Sequence, residues 1–143
     1  MARVSIDLPE NFDFVSETPL LVSHINAGNH LGNDSVITLL NEARARFLVS
    51  RQVSESVPAP GLTIVNADLA VNYLSEAFYG ESIGMEVSAT SFHRCGFDLV
   101  YRLSEVESGR VVAIAKTAHL VIDPLAKRAA DMPEAVRVAL QGA

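Results

Sequence analysis

Two histidines and a set of side-chain amides sit close together in His24-Ile25-Asn26-Ala27-Gly28-Asn29-His30-Leu31-Gly32-Asn33, and acids follow at Asp34 and Glu42. A neutral imidazole is a competent base near pH 7, so His30 is a candidate to orient or activate water. The alternative for His30 is an ordinary hydrogen-bonded loop residue. Asn26 has an amide and cannot abstract a proton, but it can position a substrate or a water. A carboxylate at the start of a helix has its charge stabilised there, which makes Asp34 a better nucleophile than base, or simply a capping residue. Glu42 is a second candidate carboxylate, or a solvated helix acid.

These residues need a helix to present them. Val36, Leu40, Ala43 and Phe47 recur at helical spacing and predict a helix that Asn33 or Asp34 caps and that runs to about Ser50. Ile37, Leu39 and Leu48 widen its buried stripe. At about 100° per residue, Asp34, Thr38 and Asn41 share a polar stripe, with Glu42 beside them. Asn29 reads as a turn residue, since asparagine tolerates left-handed backbone.

The rest of the chain reads mainly as strands. Residues 14–23 suggest an edge strand, because Pro19 donates no ladder bond. Residues 53–61, rich in Ser and Pro, read as a loop. Beyond them the period becomes two, with Val65, Ala67, Leu69, Val71 and Tyr73 on one face and Asn66, Asp68 and Asn72 on the other. Tyr79-Gly80-Glu81 is a turn, and residues 85–93 and 97–103 alternate as strands. Glu107-Ser108-Gly109-Arg110 signals a hairpin into a long strand over residues 111–122, apolar on both faces except at Lys116, Thr117 and His119, as suits the centre of a sheet. Asp123-Pro124 ends it, and Pro133 opens a short helix that stops at Gly142. One long helix and five strands imply a single α+β domain over residues 1–143, with the sheet wrapped around the helix. That arrangement leaves an apolar edge and face for a second copy of the chain.

Composition removes several classes of function. The 143 residues are 49% hydrophobic and 20% charged, which excludes a disordered chain. Eleven basic against 17 acidic residues leave a net charge of −6, so a nucleic-acid partner is not expected. Cys95 is the only cysteine, which rules out an intramolecular disulfide or a thiolate zinc site. His93, Cys95 and His119 fall on or beside strands and read as structural; with no paired spacing among the four histidines, no metal or other cofactor is expected. No stretch approaches the ~20 apolar residues of a membrane helix, and residues 1–9 lack the apolar core of a signal peptide. The expectation is a cytoplasmic protein that does not contact the membrane.

The segment from Asn26 to Asn33, followed by a helix carrying Glu42-Ala43-Arg44, resembles the hotdog-fold acyl-CoA thioesterases of the 4-hydroxybenzoyl-CoA thioesterase type. Tyr73-Leu74-Ser75-Glu76-Ala77-Phe78-Tyr79-Gly80-Glu81 is similar to that family's segment from a tyrosine-leucine pair to a glycine-acid pair, and Val121-Ile122-Asp123 to its last strand. The resemblance spans residues 15–135. It implies a hotdog fold, an acyl-CoA substrate, and a homodimer or homotetramer. It also implies hydrolysis in which amides around Gly32, Asn33 and Asp34 polarise the thioester carbonyl, with Thr38 on the substrate side. Under the same resemblance the usual catalytic Asp falls on Asn26, an earlier Asp on His24, the loop Gly on Asn29, and the acid before Glu-Ala-Arg on Asn41. The chemistry has therefore moved, to Asp34 or Glu42 with His30 and Asn26 assisting, or it has been lost and left an acyl-CoA-binding protein. A hotdog dehydratase is the remaining alternative, although the helix opening lacks that family's proline-rich pattern. Arg94, Lys127 and Arg128 are available to CoA phosphates, or are solvated surface charges.

Overall fold

The computed structural model describes residues 3–142; residues 1, 2 and 143, part of the N-terminal stretch and of the domain bounds read from the sequence, lie outside it. The chain runs β1 (Phe14–Pro19), a 3₁₀ turn (Val22–His24), α1 (Asn33–Ser50), β2 (Thr63–Tyr73), β3 (Ser82–His93), β4 (Gly96–Glu105), β5 (Val111–Asp123), β6 (Arg128–Ala129) and α2 (Glu134–Gln141). All pairings are antiparallel, in the order β1-β3-β4-β5-β2, and β6 also pairs with β5. The architecture is the expected α+β hotdog arrangement of a long helix against an antiparallel sheet.

Helix α1 forms where the periodicity places it. Val36, Leu39, Leu40, Ala43, Phe47 and Leu48 are buried, and they share one core with Ile83, Met85 and Val87 of β3 and Leu99, Tyr101 and Leu103 of β4. Each large apolar side chain in this layer contributes about 1.5–3 kcal/mol through burial. Phe47 meets Phe14 of β1 edge to face at 5.8 Å, which ties the helix to the outermost strand. The cap, however, is neither Asn33 nor Asp34. Gly32 takes the extended N-cap conformation and its carbonyl accepts from the Val36 amide, while the Asp34 carboxylate bonds the Ser35 amide within the first turn.

Three sequence expectations change in the sheet. The first strand ends at Pro19 rather than 23, because Leu20 turns into the core and the His24 ring accepts from the Leu21 amide to wind the 3₁₀ turn. The sheet has six strands, not five. The Asp123 carboxylate accepts from the amides of Leu125 and Ala126, so the chain reverses there and pairs back as β6.

The third change bears most on the site. A β-bulge lies between Asn66 and Asp68, and it interrupts the alternation expected through Ala67. Residues directly opposite in a ladder share a face. Val65, opposite Leu120, therefore points away from α1, whereas Leu69, Val71 and Tyr73, opposite Thr117, Ala115 and Ala113, point toward the helix side. The apolar face read from the sequence is thus split by one extra residue, as a bulge requires. Asp68 secures the bulge by accepting from the Ala118 amide and from Lys116 Nζ, and that bonding holds its carboxyl below the usual range.

Between α1 and the sheet runs a buried chain of polar groups. Arg44 Nη1 donates to the Tyr101 hydroxyl at 3.4 Å, Tyr101 meets Thr117 Oγ1 at 2.7 Å, and Thr117 meets His119 Nε2 at 2.7 Å. Arginine can only donate, which fixes every role downstream: Tyr101 donates to Thr117 and Thr117 to Nε2, so His119 is neutral with its proton on Nδ1. Burial, and then the nearby Arg44 charge, push the His119 pKa down to about 4, while Asp68 pulls it weakly upward. The unfolded chain takes up this proton near pH 6.5, so the stability from a neutral His119 is full above that pH. It is lost as pH falls toward 4, and the loss amounts to about 3 kcal/mol. Urea unfolding between pH 7 and 4 should show this slope in the wild type and a shallower one in His119→Gln; equal slopes contradict the assignment.

Candidate active site

The loop before α1 is built by the side chain of Asn26. Its Oδ1 accepts from the amides of Gly28 at 2.9 Å and His30 at 3.4 Å, and its own amide donates to the His30 carbonyl. Asn29 closes the turn at φ 64, a left-handed conformation that asparagine tolerates. Two backbone bonds then fix where the helix begins: the Gly32 amide donates to His24 O at 3.0 Å, and the Leu31 amide to Ala77 O at 2.8 Å. A third bond comes from β2, where the Tyr73 hydroxyl donates to Asn33 O at 3.2 Å.

Helix amides N1 to N3 have no partner within the helix. Here the Ser35 amide is taken by the Asp34 carboxylate, which leaves the Asn33 and Asp34 amides as the first-turn donors. Beside them lies a cavity of about 390 Å³ between the start of α1 and the end of β2. Leu31, Val36, Leu74 and Val112 give it an apolar lining, while Asn26, His30, Asn33 and Glu76 supply polar groups. His30 Nδ1 lies 3.1 Å from Leu31 O. A carbonyl only accepts, so Nδ1 carries the proton in the neutral ring and Nε2 carries the lone pair. That Nε2 lies 4.0 Å from Glu76 Oε1.

The sequence matches the thioesterase-like superfamily over residues 20–140. The chain belongs to the thioesterase-like superfamily. Its fold is similar to that of a 1,4-dihydroxy-2-naphthoyl-CoA thioesterase from Synechocystis, with a TM-score of 0.83 at 18% identity over 89% of this chain and 94% of that one. It is also similar to a Staphylococcus aureus protein solved in complex with CoA, with a TM-score of 0.79 at 15% identity over 96% and 87% of the two chains. A thioesterase-superfamily protein from Jannaschia gives 0.79 at 17% identity over 94% and 86%. No curated protein matches the sequence.

The candidates read from the sequence of this superfamily member divide into two groups. Asn26, His30 and Asn33 come together on the cavity, and Gly32 is buried directly behind it. Asp34, Thr38 and Glu42 do not line it. Asp34 turns back onto Ser35, Thr38 is exposed, and Glu42 pairs with Arg46 at 2.7 Å. Glu42 falls about 180° around the helix from Asn33. The Gly32 amide, one of the expected carbonyl donors, is occupied by His24 O. His93 and Cys95 touch at 3.8 Å on the β3–β4 turn, and Arg94 pairs with Asp131, both outside the cavity. Among the described residues no three His, Cys, Asp or Glu side chains are grouped to hold a metal, and no helix is long and apolar enough to cross a membrane.

Among the lining residues with no functional role in the sequence reading are Tyr73 and Glu76. Both lie in the segment that carries the family resemblance, and an acid beside apolar neighbours in a strand-to-strand connection was the available signal. The Asn26 geometry makes a separable prediction. Asn26→Ala removes an acceptor for two amides and should lower stability by about 1–3 kcal/mol, whereas Asn26→Asp keeps both bonds and should unfold at or above the wild-type denaturant midpoint. Equal losses in both variants would remove the side chain's structural role.

Proposed function

We propose that the protein hydrolyses acyl-CoA thioesters at this cavity. The observation that carries the reading is that His30 and Asn33, the first residue of α1, line one apolar-walled cavity in a chain of the thioesterase-like superfamily. The similar Staphylococcus aureus protein in complex with CoA supports CoA as the carrier. In this reading the thioester carbonyl points at the Asn33 and Asp34 amides, and the acyl group lies along Leu31, Val36, Leu74 and Val112. Negative charge that develops on the carbonyl oxygen is then met by donors already aligned, with the helix dipole behind them. His30 Nε2 takes a proton from water as its oxygen bonds the carbonyl carbon; the C–S bond breaks and the departing thiolate takes that proton from His30. Asn26 holds the His30 backbone and does not exchange protons.

Thiol release from acetyl-, octanoyl- and benzoyl-CoA tests this directly. His30→Gln should lower kcat by about 10² or more, the usual scale of general base catalysis. Asp34→Asn and Glu42→Gln should stay within about threefold of wild type, since neither carboxylate reaches the cavity. Wild-type turnover in His30→Gln would overturn the assignment. A second reading, acyl-CoA binding without cleavage, is favoured by Asn26, an amide whose Oδ1 is committed to the loop. Tight CoA-ester binding with no thiol release selects it.

The working unit in this proposal is a homodimer formed along β2. That strand is a sheet edge, and Val65, Leu69 and Tyr73 on it are 38–44% exposed, with Leu74 and Phe78 beyond them at 45% and 44%. β1, the other edge, is shorter and ends in Pro19, which suits an edge that stays unpaired. Leu69→Asp should shift the species seen by size exclusion with light scattering from dimer to monomer; an unchanged dimer would place the interface elsewhere.

A further inference from the structure

We propose that Glu76 is the positioning carboxylate of His30, beside it on the cavity lining, and that it replaces the acid absent at Asn26. The inference rests on the thioester-hydrolysis reading and adds a residue to it. Asn26 offers no charge, and its Oδ1 is committed to two backbone amides. Glu76 is the carboxylate on the cavity lining, with Oε1 4.0 Å from His30 Nε2.

This proximity is built in by the backbone. The Leu31 amide bonds Ala77 O, which sets residues 30 and 76 side by side on neighbouring segments. The segment carrying Glu76 is fixed in turn to the start of β5: Ser75 Oγ donates to Val111 O at 2.7 Å, and the Leu74 and Ser75 amides share Val112 O. Arg110 donates to Glu76 O at 3.0 Å and pairs with Glu81 at 3.1 Å, which fixes the backbone of this segment from a second side. Ala77 is fully buried, so the segment cannot slide without exposing it.

The electrostatics then favour the transition state over the ground state. His30 is neutral before it accepts the water proton and cationic afterwards, so a carboxylate facing Nε2 gains attraction only as the reaction proceeds. Glu76 takes no part in the proton transfers: the proton moves from water to Nε2 and from Nε2 to the thiolate. The charged side chain facing the ring is Glu76; Arg110 is held on the Glu76 carbonyl and on Glu81, and Asp34 on α1 turns back onto Ser35.

A double-mutant cycle tests the coupling in the full chain. Glu76→Gln should lower kcat about tenfold, with KM within about twofold, because one close charge pair near the surface is worth roughly that factor. Added to His30→Gln, it should lower the rate no further. An equal loss in both backgrounds would mean that Glu76 acts on the fold rather than on His30. NMR of the His30 ring supplies a readout without turnover: at one fixed pH its ring signals should move between wild type and Glu76→Gln, while those of His24 stay in place. If none of the CoA esters is cleaved, the hydrolysis reading fails and the NMR comparison decides the pairing alone; unmoved His30 signals overturn it.

Discussion

Three hydrogen bonds pin the first turn of α1, and the rest of the site depends on them. His24 O takes the Gly32 amide, Ala77 O takes the Leu31 amide, and the Tyr73 hydroxyl reaches Asn33 O. The loop before the helix, the end of β2 and the connection after it are thereby held at one point. A helix N-terminus offers unpaired donors wherever it occurs. Here the helix start is held beside a cavity that Asn33 lines, and in the proposed reaction that preorganisation is what would serve a developing oxyanion.

The placement of the helix itself relies on a residue of the motif that carries the family resemblance. Arg44 closes the Glu-Ala-Arg run, but its guanidinium is distributed among structural partners: Asn41 Oδ1 at 2.8 Å, Glu55 Oε1 at 3.2 Å and the Tyr101 hydroxyl. It locks α1 to the loop before β2 and to β4. Burial works against its charge, and bonds from Tyr101 and Glu55 hold it protonated. Removing one partner from such a set leaves a buried charge unmatched, which is the costly half of a buried ion pair. The Asn41 position, read as a lost acid, is in this chain an acceptor for Arg44.

Much of this was legible in the residues. The stripe Val36, Leu40, Ala43 and Phe47 gave the helix, because helical periodicity survives any tertiary context that buries one face. Period-two alternation gave β3, β4 and β5 for the same reason. The face of β2 was not legible: a single extra residue at the bulge reverses the alternation, and no local pattern announces it. β6, at two residues, is too short to carry a period. The grouping of His30, Asn26 and Asn33 on the cavity was legible because they lie close together in sequence. Glu76 was not, because its approach to His30 is made by the bond between Leu31 and Ala77, which are distant in sequence. That Asp34 and Glu42 lie off the cavity was not legible, because residue type alone says nothing about which way a helix faces.

The central claim is that the Asn33 and Asp34 amides receive the thioester carbonyl. Amide NMR of the ¹⁵N-labelled protein, titrated with an acyl-CoA analogue whose sulfur is replaced by a methylene group, measures this most directly. The account predicts that these two amide protons move downfield more than any others on binding. Binding that shifts cavity residues such as Leu74 and Val112 while leaving both amides unmoved would contradict it.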